Sequence, residues 1–150
     1  MRLWTCSREE QERLFKAVLQ QARVLRLTAT GPSMAPTIFS GDALEVRRID
    51  GPWKVGGIYL FRSVNGHWYA HRFIRREGER LIFKGDHLTL EDAAIFASQV
   101  IGEVTAVWRQ SLPGAPRISL RLPGLQRWLA YYHRLRPWVG VARKLLFEAR

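Results

Sequence analysis

A serine on a stiff loop is the residue in this sequence best suited to nucleophilic chemistry. Ser33 lies in Gly31-Pro32-Ser33-Met34-Ala35-Pro36-Thr37-Ile38, which is followed by Gly41-Asp42. Neither a helix nor a plain strand fits there, because Gly31 admits unusual dihedrals and the two prolines fix φ and lack a backbone donor. A serine hydroxyl becomes a good nucleophile only when a base is positioned beside it. Because ordinary turns use the same residue types, composition alone leaves a simple turn as the alternative.

The wider pattern resembles the serine box of the type I signal peptidase superfamily. In that family the nucleophile lies in a Ser-Met-x-Pro-Thr stretch followed by Gly-Asp, as Ser33 does here. The Gly-x-Ser-Met spelling is also similar to the self-cleaving repressor proteases of the SOS response. The resemblance covers about residues 30–107 in four ordered boxes. It implies that Ser33 is the nucleophile and that Gly31 and Met34 support it.

Histidines and lysines are the candidate bases, and sequence context favours His71. Ala70-His71-Arg72 resembles the box in which most bacterial signal peptidases have a catalytic lysine, whereas the endoplasmic-reticulum and archaeal branch has histidine. Imidazole, with an ordinary pKa of about 6.5, is largely neutral at pH 7 and can accept the serine proton. Strand alternation predicts Tyr69 and Phe73 on the same face, where they would dehydrate the site. Without the resemblance, a half-buried structural histidine is the commoner case.

The stretch 84–92 resembles the last box of the family, where a Lys-Gly-Asp turn precedes the triad aspartate by six positions. The resemblance therefore implies that Asp92 orients His71, since such a carboxylate fixes the tautomer and stabilises the imidazolium. Asp86 is predicted to support the turn or the surroundings of His71. Lys84 is interpreted as a surface charge at a strand end. His67 and His87 are predicted to be solvated. Asp42 is predicted to cap the turn after the serine box.

Composition indicates one globular domain with a core, because 47% of the 150 residues are hydrophobic and 25% are charged. The net charge of +11 implies attraction to an anionic partner, which charge alone does not identify. The single cysteine, Cys6, excludes an internal disulfide and a cysteine-based metal cluster. Histidines, carboxylates and thiols show no ligand spacing, so we expect neither a metal nor a cofactor.

The hydropathy pattern contains no signal peptide and no transmembrane helix. The N-terminus becomes charged at Arg2 and Arg8 before an apolar run can build, and no uncharged apolar run reaches about 18 residues. The sequence therefore predicts a cytoplasmic location or a peripheral one at a membrane. The N-terminal membrane anchor of classical signal peptidases is not seen.

Hydrophobic periodicity predicts a mainly β fold of the signal-peptidase type with an N-terminal helix. Ser7 and Glu10 form a capping box for a helix over residues 8–23. Asn65-Gly66 predicts a type I′ hairpin. Antiparallel strands are predicted over 24–30, 43–48, 57–62, 68–76, 80–84 and 99–108. The predicted parts are an N-terminal helix (1–23), a catalytic β domain (24–110) and a tail (111–150).

The tail is predicted to form two basic, aromatic-rich helices over 124–135 and 138–149. Basic amphipathic helices that carry tryptophan lie flat in membrane interfaces and are attracted to anionic lipid. An anionic membrane is therefore a predicted partner, and packing of the tail on the β domain is the alternative. Nucleic acid is not an expected partner.

These features predict a serine endopeptidase of the signal-peptidase type that cleaves a precursor peptide or protein through Ser33, His71 and Asp92. Family resemblance implies an extended substrate docked against a strand edge, with small residues near the scissile bond. The main alternative is a catalytically silent binding module whose tail binds membrane or nucleic acid. A self-cleaving regulator ranks last, because the N-terminal leader contains no Ala-Gly or Cys-Gly pair and is too short for a helix-turn-helix.

Overall fold

A computed structural model describes residues 6–121 of the chain, and over this range one helix precedes an antiparallel β sheet. The helix is α1 (Arg8–Gln21) and a short 3₁₀ turn covers Ala97–Gln99. The strands are β1 (Val24–Thr28), β2 (Ala43–Arg47), β3 (Ile58–Arg62), β4 (Trp68–Glu77), β5 (Arg80–Lys84), β6 (Ile95–Phe96), β7 (Val100–Trp108) and β8 (Arg117–Ser119). The predicted mainly β fold with an N-terminal helix is confirmed. The predicted helices at 124–135 and 138–149 lie outside the described residues, and the domain boundaries stay predictions.

The strand order brings distant parts of the sequence together. Neighbours in the sheet are β1-β2-β7-β3-β4-β5-β6, and β8 pairs with the second half of β7. Every pairing is antiparallel. Ser33 lies in the connection between β1 and β2, His71 lies in β4, and Asp92 lies between β5 and β6. The site therefore depends on the pairing of strands that are distant in the sequence.

Strand β3 is buried on both faces and separates two apolar clusters. Ile58 and Leu60 point into the first cluster, which also holds Leu19 of α1. Tyr59 and Phe61 point into the second, which is rich in aromatic side chains. Successive side chains of a strand alternate between its two faces, so a strand that is covered on both faces has a continuous apolar sequence. The Ile-Tyr-Leu-Phe sequence of β3 is such a run.

The N-terminal end of α1 forms as predicted, and its C-terminal end comes earlier. The Glu10 N–H donates to the Ser7 hydroxyl (3.2 Å), and the Ser7 N–H donates to the Glu10 carboxylate (2.6 Å). These are the two bonds of a capping box. The helix ends at Gln21 and not at Arg23, because Arg23 has a left-handed φ of 61° that reverses the chain into β1.

The hairpin between β3 and β4 is confirmed, but its predicted type I′ turn is wrong. Of the two central residues only Gly66 has a positive φ, 80°. The Gly66 N–H donates to the Ser63 carbonyl (2.9 Å), so the turn starts at Ser63 and the loop spans residues 63–67. The Asn65 side chain accepts from the His67 N–H (3.2 Å) and from the Ser63 hydroxyl. This side-chain pairing stabilises a longer loop than the sequence pattern predicts.

Buried Glu45 connects β8 to the rest of the sheet. Arg117 donates to both of its oxygens (3.1 and 3.0 Å), and Arg47 and Thr105 donate to Oε1 (3.0 and 3.2 Å). The hydrogen bonds from Arg117 lower the pKa of Glu45 to about 2, outweighing the opposite effect of burial, and Arg47 adds to the decrease. The folded state therefore strongly favours the ionised form of Glu45.

Glu45→Gln is expected to lower the free energy of unfolding at pH 7 by about 1 kcal/mol, since charge-assisted bonds become neutral ones while half-exposed Arg117 remains partly hydrated. A depressed carboxylate pKa stabilises the fold above its ordinary value of 4.5, and this stabilisation is lost as the pH falls from there towards 2. Urea unfolding at pH 7 and between pH 4.5 and 3 measures both effects. Below pH 4.5 the free energy of unfolding should fall less steeply with pH in Glu45→Gln than in wild type. Glu9→Gln is the matched control, because Glu9 is exposed. Equal pH slopes for Glu45→Gln and wild type would contradict the role of Glu45.

Candidate active site

The Ser33 loop is closed at its base and anchored from within. The Ala29 N–H donates to the Asp42 carbonyl (2.8 Å), and the Gly41 N–H donates to the Ala29 carbonyl (2.9 Å). Gly31 has a φ of 81°, a conformation that side-chain-bearing residues rarely adopt. Asp42 accepts from the Phe39 N–H (2.9 Å), as expected of a residue that caps this turn. The loop thus holds Ser33 at a fixed place beyond the ends of β1 and β2.

A line of two hydrogen bonds connects Ser33, His71 and Asp92. His71 Nε2 lies 3.0 Å from Ser33 Oγ, and His71 Nδ1 lies 2.7 Å from Asp92 Oδ2. The two ring nitrogens therefore face different partners, one a hydroxyl and the other a carboxylate. With the proton on Nδ1 bonded to Asp92, Nε2 is the acceptor that a serine nucleophile requires.

Aromatic side chains enclose His71, which is 1% exposed. Tyr69 stacks on the imidazole with ring centroids 5.0 Å apart, and Phe61 approaches edge-on at 6.1 Å. Tyr69 and His71 share a face of β4, as the alternation predicts. Exclusion of water from the imidazole strengthens its electrostatic interactions with Ser33 and Asp92.

Asp92 and the turn before it are fixed by backbone contacts. The Asp92 N–H donates to the Phe83 carbonyl of β5 (2.8 Å), and the His87 N–H donates to the Ser33 carbonyl (2.9 Å). A Cβ added to Gly85 would lie 2.6 Å from the Ser33 carbonyl oxygen, which is closer than real Cβ contacts. The Gly-Asp turn therefore needs glycine because the two loops of the site approach each other at this residue.

Asp86 joins the serine loop to β4 through a buried ion pair. Arg72 donates to both Asp86 oxygens (2.7 and 2.6 Å), and the Thr37 hydroxyl donates to Oδ2 (2.5 Å). Arg72 also donates to the Gly56 carbonyl (2.5 Å). The Asp86 N–H lies 3.4 Å from the sulfur of buried Met34. Asp86 and Met34 thus fix the loop that carries Ser33, and neither touches the imidazole in these contacts.

The two other histidines of the β domain lie away from this line of hydrogen bonds. His67 and His87 are exposed, as predicted. Glu91, next to Asp92, pairs with Arg75 at the surface. Lys84 was predicted on the surface, and this is wrong, because it is buried (4% exposed). It stands opposite Arg72 in the register of β4 and β5.

Sequence reasoning did not find two parts of the site, the Arg72–Thr37 contacts and an apolar pocket beside Ser33. Arg72 follows His71 directly and Thr37 belongs to the serine box, so both stood within motifs already recognised. The pocket is lined in part by α1, which the resemblance does not cover.

Within residues 6–121, no group of three or more His, Cys, Asp or Glu side chains is placed to hold a metal ion. No helix in that range is long and apolar enough to cross a membrane.

A family-model match defines the class of this protein as that of the signal peptidases and SOS-repressor proteases, and the mainly antiparallel β fold is consistent with it. The chain belongs to the Peptidase S24-like family, whose model matches residues 3–105. The match spans α1, the serine box and most of the sheet, and it confirms the superfamily resemblance. It also indicates a protease-type fold. A comparison with curated proteins returns no significant match.

Proposed function

We propose that this protein is a serine endopeptidase of the signal-peptidase type, which cleaves a precursor peptide or protein by acyl transfer. The observation that carries the proposal is the position of His71, in hydrogen-bond reach of both Ser33 Oγ (3.0 Å) and Asp92 (2.7 Å). A serine hydroxyl, an imidazole and a carboxylate in this order are the parts that nucleophilic acyl transfer requires.

The reaction would proceed in two halves. In the first, Ser33 Oγ attacks the scissile carbonyl carbon while His71 Nε2 takes the hydroxyl proton, and the proton then passes to the leaving amine as the C–N bond breaks. In the second, water attacks the Ser33 ester, gives its proton to His71 Nε2, and Ser33 recovers a proton as the acid product leaves. Asp92 accepts the hydrogen bond from His71 Nδ1 and stabilises the imidazolium in both halves. The Ser33 backbone N–H is the expected oxyanion donor.

The sheet offers a peptide two strand edges beside the nucleophile. β1 ends the sheet order, and residues 68–71 of β4 pair with β3 but not with β5 among the described strands. Extended peptides bind such edges through main-chain hydrogen bonds. A substrate strand held against either edge would run past Ser33 with its side chains alternating between the sheet and solvent.

The test is mass spectrometry of a mixed library of peptides and precursor proteins incubated with wild-type protein or Ser33→Ala. Each incubation is done without vesicles, with anionic vesicles and with neutral vesicles. Ser40→Ala is the matched control, because Ser40 lies exposed in the same loop. We expect cuts that vanish with Ser33→Ala and persist with Ser40→Ala. No Ser33-dependent cut under any condition would favour the binding module, in which the peptidase fold acts only as a scaffold.

The vesicle arm tests a second part of the proposal, peripheral attachment to an anionic membrane. The stretch 111–150 holds eight basic residues against one acid, Glu148. Arg117 and Arg121 pair with Glu45 and Glu103 (3.0 Å each), so the membrane proposal rests on Arg127, Arg134, Arg136, Arg143, Lys144 and Arg150. Each basic residue near anionic lipid contributes about 1 kcal/mol to membrane binding. Faster cutting with anionic than with neutral vesicles supports attachment, and equal cutting with both rejects it.

A further inference from the structure

Arg109, the residue that follows β7, reaches the far side of the loop that carries Ser33. Its Nη2 donates to the Thr37 carbonyl (2.9 Å). Its Nε lies 3.0 Å from Asp42 Oδ2, in an ion pair whose angle is not that of a hydrogen bond. The guanidinium also lies over the Phe39 ring, 4.5 Å from the ring centroid. Arg109 therefore contacts the loop at three places between residues 37 and 42.

The ion pair between Arg109 and Asp42 is largely shielded from water. The Arg109 side chain is 13% exposed and that of Asp42 is 1% exposed. Asp42 Oδ2 also accepts from the Phe39 N–H (2.9 Å), so the carboxylate joins Arg109 to the loop backbone. A guanidinium can serve a carbonyl and a carboxylate together because its donors are fixed in one plane, whereas a lysine ammonium is a point charge on a flexible stem. These contacts therefore suit arginine and not lysine.

The segment 32–38 is one compact turn that connects Thr37 to Ser33. Two backbone hydrogen bonds of 3.0 Å close it, from the Ala35 N–H to the Pro32 carbonyl and from the Ile38 N–H to the Met34 carbonyl. Thr37 is held at both of its polar groups, because its hydroxyl donates to Asp86 (2.5 Å) and its carbonyl accepts from Arg109. A shift of Thr37 is therefore transmitted through the turn to Ser33.

We propose that Arg109 is a positioning residue that keeps Ser33 Oγ within hydrogen-bond reach of His71 Nε2. This inference rests on the proposed peptidase function and adds a residue from beyond the four motifs. Arg109 takes no part in the proton transfers and acts only through the serine loop. The 3.0 Å distance between Oγ and Nε2 is what it maintains. A displacement of about 1 Å at a reacting group can lower the rate about 100-fold.

The kinetic test compares Arg109→Met with Arg117→Met on one cleaved peptide. Arg109→Met is expected to lower kcat by about 10- to 100-fold and to change KM by less than about twofold. Arg117→Met is the matched control, because Arg117 also pairs with a buried carboxylate, that of Glu45 in the sheet. Its kcat should equal that of wild type. Arg109→Lys keeps the charge beside Asp42 and replaces Arg109→Met if that protein does not fold. A wild-type kcat in a folded Arg109 variant would overturn the inference.

A spectroscopic test separates this inference from the peptidase proposal, because it needs no substrate. The NMR signals of the His71 ring nitrogens are compared in wild type, Ser33→Ala, Arg109→Met and Arg117→Met. Ser33→Ala removes the hydroxyl that bonds to Nε2 and so gives the Nε2 signal of an imidazole without that bond. The Nε2 signal of the Arg109 variant should move towards that of Ser33→Ala, and the signal of Arg117→Met should stay at the wild-type position.

The two tests fail in different ways. A wild-type Nε2 signal in the folded Arg109 variant would overturn the positioning role, even if kcat falls. A shifted Nε2 signal in a protein that makes no Ser33-dependent cut would support the role of Arg109 and reject the peptidase function.

Discussion

His71→Ala and Asp92→Asn are each expected to lower kcat by about two to four orders of magnitude while the protein stays folded. Without His71, no group within 3.0 Å of Ser33 Oγ accepts its proton among the described contacts. Asp92→Asn keeps the shape of the site but can place an amide N–H where a carboxylate oxygen accepts the hydrogen bond of His71 Nδ1. The amide N–H then favours the tautomer with its proton on Nε2, which cannot accept the proton of Ser33.

The kinetic pattern distinguishes this mechanism from a structural role of the two residues. Both variants should change kcat and leave KM nearly unchanged, because neither residue lies in the apolar pocket that would hold the substrate. His67→Ala and Asp50→Asn are matched controls, since both residues are exposed. Their kcat should equal that of wild type. Turnover at the wild-type level in His71→Ala or Asp92→Asn, with an unchanged melting temperature, would remove that residue from the mechanism.

The parts of the site that sequence reasoning found are those carried by short contiguous motifs. Ser33, His71 and Asp92 each lie in a box recognisable without knowledge of its neighbours. The order of the boxes then implied a proximity that the sheet creates by placing β4 between β3 and β5. Six of the strands were also predictable, because alternation and apolar runs are local properties of the chain. The short strands β6 and β8 were not predicted, since two or three residues are too few to show such a pattern.

The errors and omissions share a physical cause, which is dependence on contacts between distant residues. Lys84 has the sequence context of a surface lysine, but it is buried at the end of β5 opposite Arg72 of β4. Asn65-Gly66 favours a type I′ turn until the Asn65 side chain bonds within the loop. Phe15 of α1 lines the pocket beside Ser33, and no local pattern of the sequence places that helix next to the serine loop. Local propensity cannot report any of these contacts.

Asp86→Ala is expected to lower the free energy of unfolding by about 3 to 5 kcal/mol, since it leaves the Arg72 guanidinium buried without its carboxylate. Arg72 is 2% exposed and Asp86 is 1% exposed, so water cannot replace the lost partner. Urea unfolding monitored by tryptophan fluorescence measures the change through the midpoint and the m-value. Glu91→Ala is the matched control, because Glu91 pairs with an arginine at a surface position where both side chains are more than a third exposed.

The difference in free energy of unfolding between Asp86→Ala and Glu91→Ala shows how much the buried ion pair contributes to holding the serine loop. The exposed pair of Glu91 should contribute at most about 1 kcal/mol. The loop should also loosen in Asp86→Ala, since Asp86 accepts from both Thr37 of the serine box and Arg72 of β4. A double variant, Asp86→Leu with Arg72→Met, should recover part of the stability, because it removes the buried guanidinium together with the carboxylate that pairs with it. A loss in Asp86→Ala no larger than that in Glu91→Ala would show that packing around Met34, and not the ion pair, positions Ser33.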